Sequence, residues 1–254
     1  MSERIIVATA LSPDAERLLK EQFPRGHELR LRPPKGVTDE DLDWATGLCC
    51  YNVPAERIIP RRNLRWLHLP AAGMDPFVVL QSARPDLRLT RHGPYFAPVL
   101  AEHGLALLLA LHRQIKPMVH FQQQHTWSRE AIAALQPTVV RGSEAHVLGY
   151  GPMARALIVL LAAVGARVTV FRRTAAGTDA GVARFAALGD LGREIPAADA
   201  VLAVLPATAG TTHLLNREVI GRMKSTAVIV NLGRSNVLDH AALASALESG
   251  RIAG

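Results

Sequence analysis

The sequence predicts an α/β protein with two doubly wound parallel-sheet domains. The first 92 residues alternate short apolar runs with helical stretches, a pattern typical of a parallel sheet covered by helices on both faces. A long apolar helix interrupts this alternation near Pro98, and a second series of strands and helices follows it. With 254 residues, the chain is long enough for two domains that each bury a core. We therefore predict a first domain over residues 1–92 and a second over residues 93–254.

The elements of the first domain are short and evenly spaced. The predicted strands cover residues 4–8, 28–31, 48–51, 65–69 and 87–90, and the predicted helices cover residues 13–22 and 40–44. Cys49 and Cys50 lie in the third strand, where buried thiols behave as small apolar side chains. Two adjacent cysteines indicate neither a disulfide framework nor a zinc site, so we expect no metal.

The second domain begins with the long apolar helix, which is predicted over residues 98–119 and would connect the two domains. The strands that follow are predicted over residues 146–148, 167–171, 200–205 and 227–232. A last helix over residues 240–248 is capped by Asp239 and ends before Gly250. Another strand begins near Ile252 as the sequence stops. We therefore expect a truncated domain that lacks its last strands and C-terminal helix.

Composition and charge exclude several classes of function. The net charge of +7 comes from single arginines spread along the chain and not from a basic stripe, which argues against a nucleic-acid partner. The longest apolar run, residues 104–111, is far shorter than a membrane span, and residues 1–8 do not resemble a signal peptide. We expect a protein of the reducing cytoplasm that binds neither nucleic acid nor membranes.

A glycine-rich turn marks the start of the second domain's sheet. A strand runs through Gly149 and Gly151 into a helix that begins with Pro152 and Met153, in the pattern G-x-G-x-x-A. The first glycine allows a tight turn, and the second lets the backbone approach a pyrophosphate held by the helix N-terminus. The same pattern also serves simple packing at strand-to-helix turns, so it is weak evidence alone.

The end of the next strand indicates which dinucleotide would bind. Arg172 and Arg173 stand where an acidic residue would hold the adenine ribose hydroxyls of NAD. Guanidinium groups can pair with a 2′-phosphate, so we predict NADP as the cofactor, with NAD as the alternative. Two solvated arginines at a strand end are the other interpretation. A methyltransferase is disfavoured, because that class usually has an acid at this position.

Several segments closely resemble the D-isomer-specific 2-hydroxyacid dehydrogenase family. That family's pattern runs L-P-x-T-x-x-T, L-I-N, M-K and N-x-x-R-G-x-x-V-D. The matching segments here are residues 205–216, 223–224 and 231–239, with further similarity at residues 63–68, 71–75 and 101–103. Ser235 and Asn236 depart from the pattern, because family members often have two glycines there. The resemblance implies a flavodoxin-like substrate domain followed by a Rossmann dinucleotide-binding domain.

The resemblance also implies roles for individual residues. Arg234 would pair with the substrate carboxylate and polarise the carbonyl at C2, although a structural salt bridge is its alternative role. Backbone N–H groups of Ala72 and Gly73 would hold the same carboxylate. The residues implied to line the nicotinamide are Leu205, Thr212, Leu232 and Gly233.

The implied reaction is hydride transfer between a nicotinamide cofactor and a small 2-oxo or 2-hydroxy acid of the glyoxylate and hydroxypyruvate type. The alternative is a non-catalytic, dinucleotide-sensing protein on the same fold. Family members use a Glu and a His that follow the strand beginning near Ile252, and we do not expect His68 or His92 to replace them. This chain alone is therefore expected to be inactive. The resemblance further implies a homodimer that pairs through the long helix and the arm after Pro98.

Overall fold

The computed structural model describes residues 2–254, which form two five-stranded parallel sheets covered by helices. The chain divides into two compact units, Met1–Tyr95 and Phe96–Gly254. This division lies close to the boundary drawn from the sequence at residues 92 and 93, which remains a prediction about functional domains. The predicted fold class is confirmed.

The first unit is a doubly wound sheet with the order β2-β1-β3-β4-β5. Its strands are β1 (Arg4–Ala8), β2 (Glu28–Arg32), β3 (Gly47–Cys50), β4 (Trp66–Leu69) and β5 (Arg88–Arg91). Its helices are α1 (Pro13–Gln22), α2 (Asp39–Trp44), α3 (Ala55–Ile58) and α4 (Leu80–Ala83). Every pairing is parallel, and the order 2-1-3-4-5 is that of flavodoxin-like sheets.

Buried polar side chains connect the helices of the first unit to its strands and loops. The Asp41 carboxylate is buried in α2 and accepts hydrogen bonds from Arg32 on β2, which lowers the pKa of Asp41 to about 2. Arg84 is fully buried after α4 and donates hydrogen bonds to the carbonyls of Arg61 and Leu64. These bonds satisfy charges and backbone carbonyls that would otherwise be costly to bury.

The two cysteines occupy the interior of the first sheet, as the sequence predicts. Both lie in β3 as free thiols, Cys50 buried and Cys49 half-buried. Burial raises the pKa of Cys49 to about 11 and that of Cys50 to about 12. Both thiols therefore stay protonated near neutral pH, as unreactive packing groups.

The second unit has the sheet order β10-β9-β6-β7-β8. Its strands are β6 (Glu144–Leu148), β7 (Arg167–Arg172), β8 (Arg184–Ala187), β9 (Ala200–Ala203) and β10 (Val228–Asn231). Its helices are α5 (Ala97–His112), α6 (Ile115–Gln123), α7 (Arg129–Ala134), α8 (Pro152–Ala163), α9 (Leu191–Glu194), α10 (Arg217–Gly221) and α11 (His240–Glu248). Numbered within this unit, the sheet reads 3-2-1-4-5, the strand order of dinucleotide-binding folds. The order reverses at β6, so ligands are expected at the carboxyl ends of β6 and β9.

The second unit differs from the sequence prediction at two places: one predicted helix is broken, and one strand was not predicted. The helix predicted over residues 98–119 is broken, because Gln114 has a left-handed backbone with φ of 55° between α5 and α6. The apolar pattern continues across this break, so periodicity does not reveal it. Strand β8 was not expected from the sequence, since it contains only four residues and begins with an exposed Arg184.

Helix α5 packs against α8 and β10 and buries Ala101, Gly104 and Leu108. The helical stretch Pro94–His112 is long and apolar enough to cross a membrane by length and composition, and 22% of its most apolar 18 residues are buried. The apolar run of residues 104–111 is shorter than this helix, so it did not predict a stretch of membrane-spanning length. One such helix is weak evidence for a membrane span, because core helices of soluble proteins have the same properties.

The last residues of the sequence run along the free edge of β10. The Ala253 N–H donates to the Ala227 carbonyl at 2.9 Å, and the Ile229 N–H donates to the Gly254 carbonyl at 2.9 Å. Ile252 is buried beside them. The extended segment that the sequence predicts near Ile252 therefore pairs with β10 in the position of a sixth strand.

Candidate cofactor site

The turn between β6 and α8 requires its first glycine. Gly149 has a φ of 107°, and a Cβ at this position would lie 3.1 Å from the Val204 carbonyl oxygen. Its N–H donates to the Phe171 carbonyl at 2.8 Å, which fixes the turn against β7. Both the left-handed backbone and the close approach exclude a larger residue.

The N-terminus of α8 is open for an anion. Gly151 is the N-cap, no side chain of residues 2–254 caps this end, and Pro152 begins the helix. The first intrahelical bond runs from the Arg155 N–H to the Gly151 carbonyl at 3.0 Å, so the preceding N–H groups of Met153 and Ala154 lack helical partners. A Cβ on Gly151 would have no described neighbour within 4 Å. The residues present therefore fit the pyrophosphate of a dinucleotide, which helix dipoles and exposed N–H groups bind.

The ends of β9 and β10 approach each other closely beside this turn. A Cβ on Gly233 would lie 2.5 Å from the carbonyl oxygen and 2.9 Å from the backbone nitrogen of Leu205. The Leu205 side chain lies 3.3 Å from where a Cβ on Gly149 would be. Gly149, Leu205 and Gly233, all predicted from the sequence, are therefore brought together.

The backbone that carries Arg234 is held by the side chain of Asn231 at the end of β10. The Asn231 Oδ1 accepts from the Gly233 N–H at 3.0 Å, and its Nδ2 donates to the Arg234 carbonyl at 3.1 Å. Leu232 is held by its own N–H, which donates to the Ala203 carbonyl at 2.8 Å. Arg234 is half-buried and stands at the carboxyl end of a parallel strand, where ligands bind in such sheets.

Asn236 joins this loop to the threonine-rich loop after β9. Its Nδ2 donates to the Thr212 Oγ1 at 3.0 Å, and its carbonyl accepts from the His213 N–H at 2.7 Å. Thr212 also donates to the Thr208 carbonyl at 2.9 Å. The sequence marks Asn236 only as a departure from the family pattern, and its bridging role depends on a contact 24 residues away.

Of the two arginines expected at the adenine end, only Arg172 lies beside the ring of Tyr150. The Arg172 guanidinium lies 5.4 Å from the centroid of this ring, whereas Arg173 is exposed. Arg155 lies 4.8 Å from the same centroid, and the Tyr150 hydroxyl donates to Asp179. Tyr150, Arg155 and Asp179 were not selected from the sequence. The aromatic residue between the two glycines is the one sequence feature from which this contact could have been predicted.

The remaining predicted site residues lie in the first unit. Ala72 and Gly73 are half-buried in the loop after β4, and the Arg91 guanidinium donates to the Ala72 carbonyl. The same unit contains a pair of imidazoles, with His68 Nε2 3.1 Å from His92 Nδ1. Burial lowers the pKa of His68, and nearby His92 lowers it further. Within residues 2–254, no group of three or more His, Cys, Asp or Glu side chains is arranged to hold a metal ion.

The sheet order and the glycine turn define the class of the second unit as a dinucleotide-binding domain. The chain belongs to the D-isomer specific 2-hydroxyacid dehydrogenase family, because the model of that family's NAD binding domain matches residues 105–254. It is therefore an oxidoreductase that transfers a hydride between a nicotinamide cofactor and a 2-hydroxy acid. The alternative of a non-catalytic dinucleotide sensor is not favoured.

Individual relatives agree with this family. A glyoxylate reductase of Thermococcus kodakarensis is 27% identical over 270 residues, which cover 100% of this chain and 78% of the relative. A D-3-phosphoglycerate dehydrogenase of Mycobacterium bovis is 33% identical over 155 residues, or 60% of this chain and 28% of the relative. The crystal structure of a D-isomer specific 2-hydroxyacid dehydrogenase family protein from Aeromonas salmonicida superposes with a TM-score of 0.86 at 24% identity, covering 100% of this chain and 80% of that one.

Replacing Gly233 with alanine tests the close approach of β9 and β10. The added methyl group would collide with the Leu205 backbone, so we expect the free energy of unfolding to fall by about 1–3 kcal/mol and dinucleotide binding to weaken. Gly221→Ala is the control, because a Cβ there meets no described atom within 4 Å. Urea denaturation and calorimetric titration measure both effects. Wild-type stability and affinity in Gly233→Ala would refute the proposed constraint.

Proposed function

We propose that this protein reduces glyoxylate, hydroxypyruvate or a similar small 2-oxo acid with NADPH. The observation that carries the proposal is the position of Arg234, which the Asn231 side chain holds at the carboxyl end of β10, directly after Gly233. The similarity to a glyoxylate reductase over the whole chain supports the choice of substrate.

In this proposal Arg234 binds the substrate. A guanidinium group is always charged and offers a planar fork of donors, which suits the carboxylate of a 2-oxo acid and can also polarise the C2 carbonyl. Stabilising the negative charge that develops on the carbonyl oxygen lowers the barrier to reduction. In the first unit, the backbone N–H groups of Ala72 and Gly73 are proposed, by resemblance to the family, as donors to a substrate carboxylate. The Arg91 guanidinium donates to the Ala72 carbonyl in this loop.

The cofactor residues are proposed to bind the dinucleotide and to orient it. The first turn of α8, with Gly151, Pro152 and Met153, would bind the pyrophosphate, and Gly149 would leave room for it. The nicotinamide would lie against the residues at the ends of β9 and β10: Leu205, Thr212, Leu232 and Gly233. When bound, the cofactor supplies or accepts the hydride, and these residues orient it and exclude water.

The preference for NADPH rests on Arg172 and Arg173. Arg172 is the last residue of β7 and Arg173 follows it, at the place where NAD-specific folds use an acid. Arg172 lies near the Tyr150 ring beside the glycine turn. A guanidinium group there would form charge-assisted hydrogen bonds with a 2′-phosphate.

The proton that accompanies the hydride is assigned by resemblance to a Glu and a His that would follow Ile252 in the family.

We further propose a homodimer located in the cytoplasm. Large apolar side chains are exposed along α5, α6 and the segment after them, as expected for a surface that a second copy covers. They are Val99, Leu107, Ile115, Val119 and Trp127.

Arg234→Lys tests the assigned substrate contact by binding alone. Lysine keeps the charge but loses the planar fork, so we expect oxalate, an unreactive two-carbon analogue, to bind about 10- to 100-fold more weakly to NADPH-saturated protein. Arg217→Lys, at an exposed position of α10, is the control. Calorimetric titration measures both. Unchanged oxalate affinity in Arg234→Lys would remove Arg234 from the substrate site.

Replacing Arg172 by Asp and Arg173 by Thr tests the cofactor preference. The wild type is expected to bind NADPH more tightly than NADH, and the double variant to reverse that order by about tenfold or more, because two cations are replaced by a hydrogen-bond acceptor for ribose hydroxyls. Arg193→Asp, at an exposed position of α9, controls for two of the three units of charge that the double variant changes. Equal affinities of the wild type for the two dinucleotides would contradict the NADP proposal.

A further inference from the structure

A cluster of four side chains surrounds the glycine turn at the end proposed for the adenine ribose. We call Tyr150, Arg155, Arg172 and Asp179 the Tyr150 cluster. The guanidinium carbons of Arg155 and Arg172 lie 4.8 Å and 5.4 Å from the centroid of the Tyr150 ring, and the Tyr150 hydroxyl donates to an Asp179 carboxylate oxygen. The edge of the ring is fixed by Phe185 of β8, whose ring centroid is 5.0 Å away at an interplanar angle of 89°.

Asp179 is brought to the cluster by the connection between β7 and β8. Two glycines of this connection, Gly177 and Gly181, have φ angles of 139° and 80°, which turn the chain back toward the glycine turn. A Cβ on Gly177 would lie 3.4 Å from Arg172 Nη1, so the loop passes directly over that guanidinium. The placement of Asp179 therefore depends on the loop, 28 residues beyond Gly151 in the chain.

The carboxylate is charged at neutral pH. The Tyr150 hydroxyl lowers the pKa of Asp179, the Ala180 N–H at 2.8 Å lowers it further, and the charge of Arg155 acts in the same direction. The Tyr150 hydroxyl stays protonated, because burial and the neighbouring carboxylate both raise its pKa. The Tyr150 cluster thus places two cations and one anion around one aromatic ring.

These charges act oppositely on the two dinucleotides. A 2′-phosphate carries up to two negative charges, so Arg155 and Arg172 attract it and Asp179 repels it. A ribose without the phosphate offers two hydroxyl donors, for which a carboxylate is a suitable acceptor. The same side chain would therefore weaken NADPH binding and support NADH binding.

We infer that Asp179 is a specificity-determining residue whose negative charge opposes a 2′-phosphate bound beside Arg155 and Arg172, and that Arg155 is an additional cation of the phosphate site. This inference rests on the proposed dinucleotide function. Because Asp179 opposes the arginines, the ratio of NADPH to NADH affinity in the wild type is expected to be smaller than Arg155 and Arg172 would produce without it.

The test measures NADPH and NADH affinities of the 254-residue protein by calorimetric titration. In Asp179→Asn, which keeps an acceptor for the Tyr150 hydroxyl but removes the charge, the ratio of NADPH to NADH affinity should rise about fivefold. In Arg155→Met the same ratio should fall by a similar factor. Glu248→Gln removes an exposed carboxylate at the end of α11 and should leave the ratio unchanged.

The outcomes separate this inference from the proposed function. Binding of both dinucleotides with an unchanged ratio in Asp179→Asn and Arg155→Met would overturn the inference and leave the dehydrogenase proposal intact. A rise of the same size in Glu248→Gln would also overturn it, because the effect would then come from net charge. Failure of the wild type to bind either dinucleotide would overturn the proposed function itself.

Discussion

The backbone of Gly233 lies against the backbone of Leu205, and Gly149 lies against Val204 on the other side of the same segment. These approaches leave no space for a Cβ at Gly233 and little at Gly149, so three strand ends meet at one point of the sheet. The helix that follows Gly149 then presents its uncapped N-terminus beside them. Arg234 follows Gly233 directly and is held there by Asn231. The partial positive charge of α8 and the full charge of Arg234 are thus fixed at one edge of the second sheet, as a dinucleotide and an anionic substrate require.

Much of this arrangement could be predicted from the sequence because it depends on local chemistry. The alternation of strands and helices, the cap at Asp239 and the glycine turn follow from backbone conformation and hydrogen bonding within a few residues. The proximity of Gly149, Leu205 and Gly233 follows from the rule that parallel strands end at the same edge, once the strand order is known. Arg234 was identified by its motif, and its position at the end of β10 is consistent with that motif.

Other features depend on contacts that no local pattern encodes. The left-handed Gln114 splits an apolar stretch whose composition favours one continuous helix. Asp179 reaches Tyr150 through a loop whose course is set by two glycines with positive φ. Asn236 donates a hydrogen bond to Thr212, 24 residues away, whereas the family pattern shows only that a glycine is often found at position 236. In each case a tertiary contact decides the role of a residue whose type alone is compatible with several roles.

A crystal structure of this protein with NADPH and oxalate would test the central claim most directly. The account predicts that pyrophosphate oxygens accept hydrogen bonds from the N–H groups at the start of α8, with donor–acceptor distances of about 3 Å, and that the Arg234 guanidinium contacts the oxalate carboxylate beside the nicotinamide. A dinucleotide bound away from Gly149 and Gly151, or an Arg234 guanidinium turned away from the nicotinamide, would contradict it.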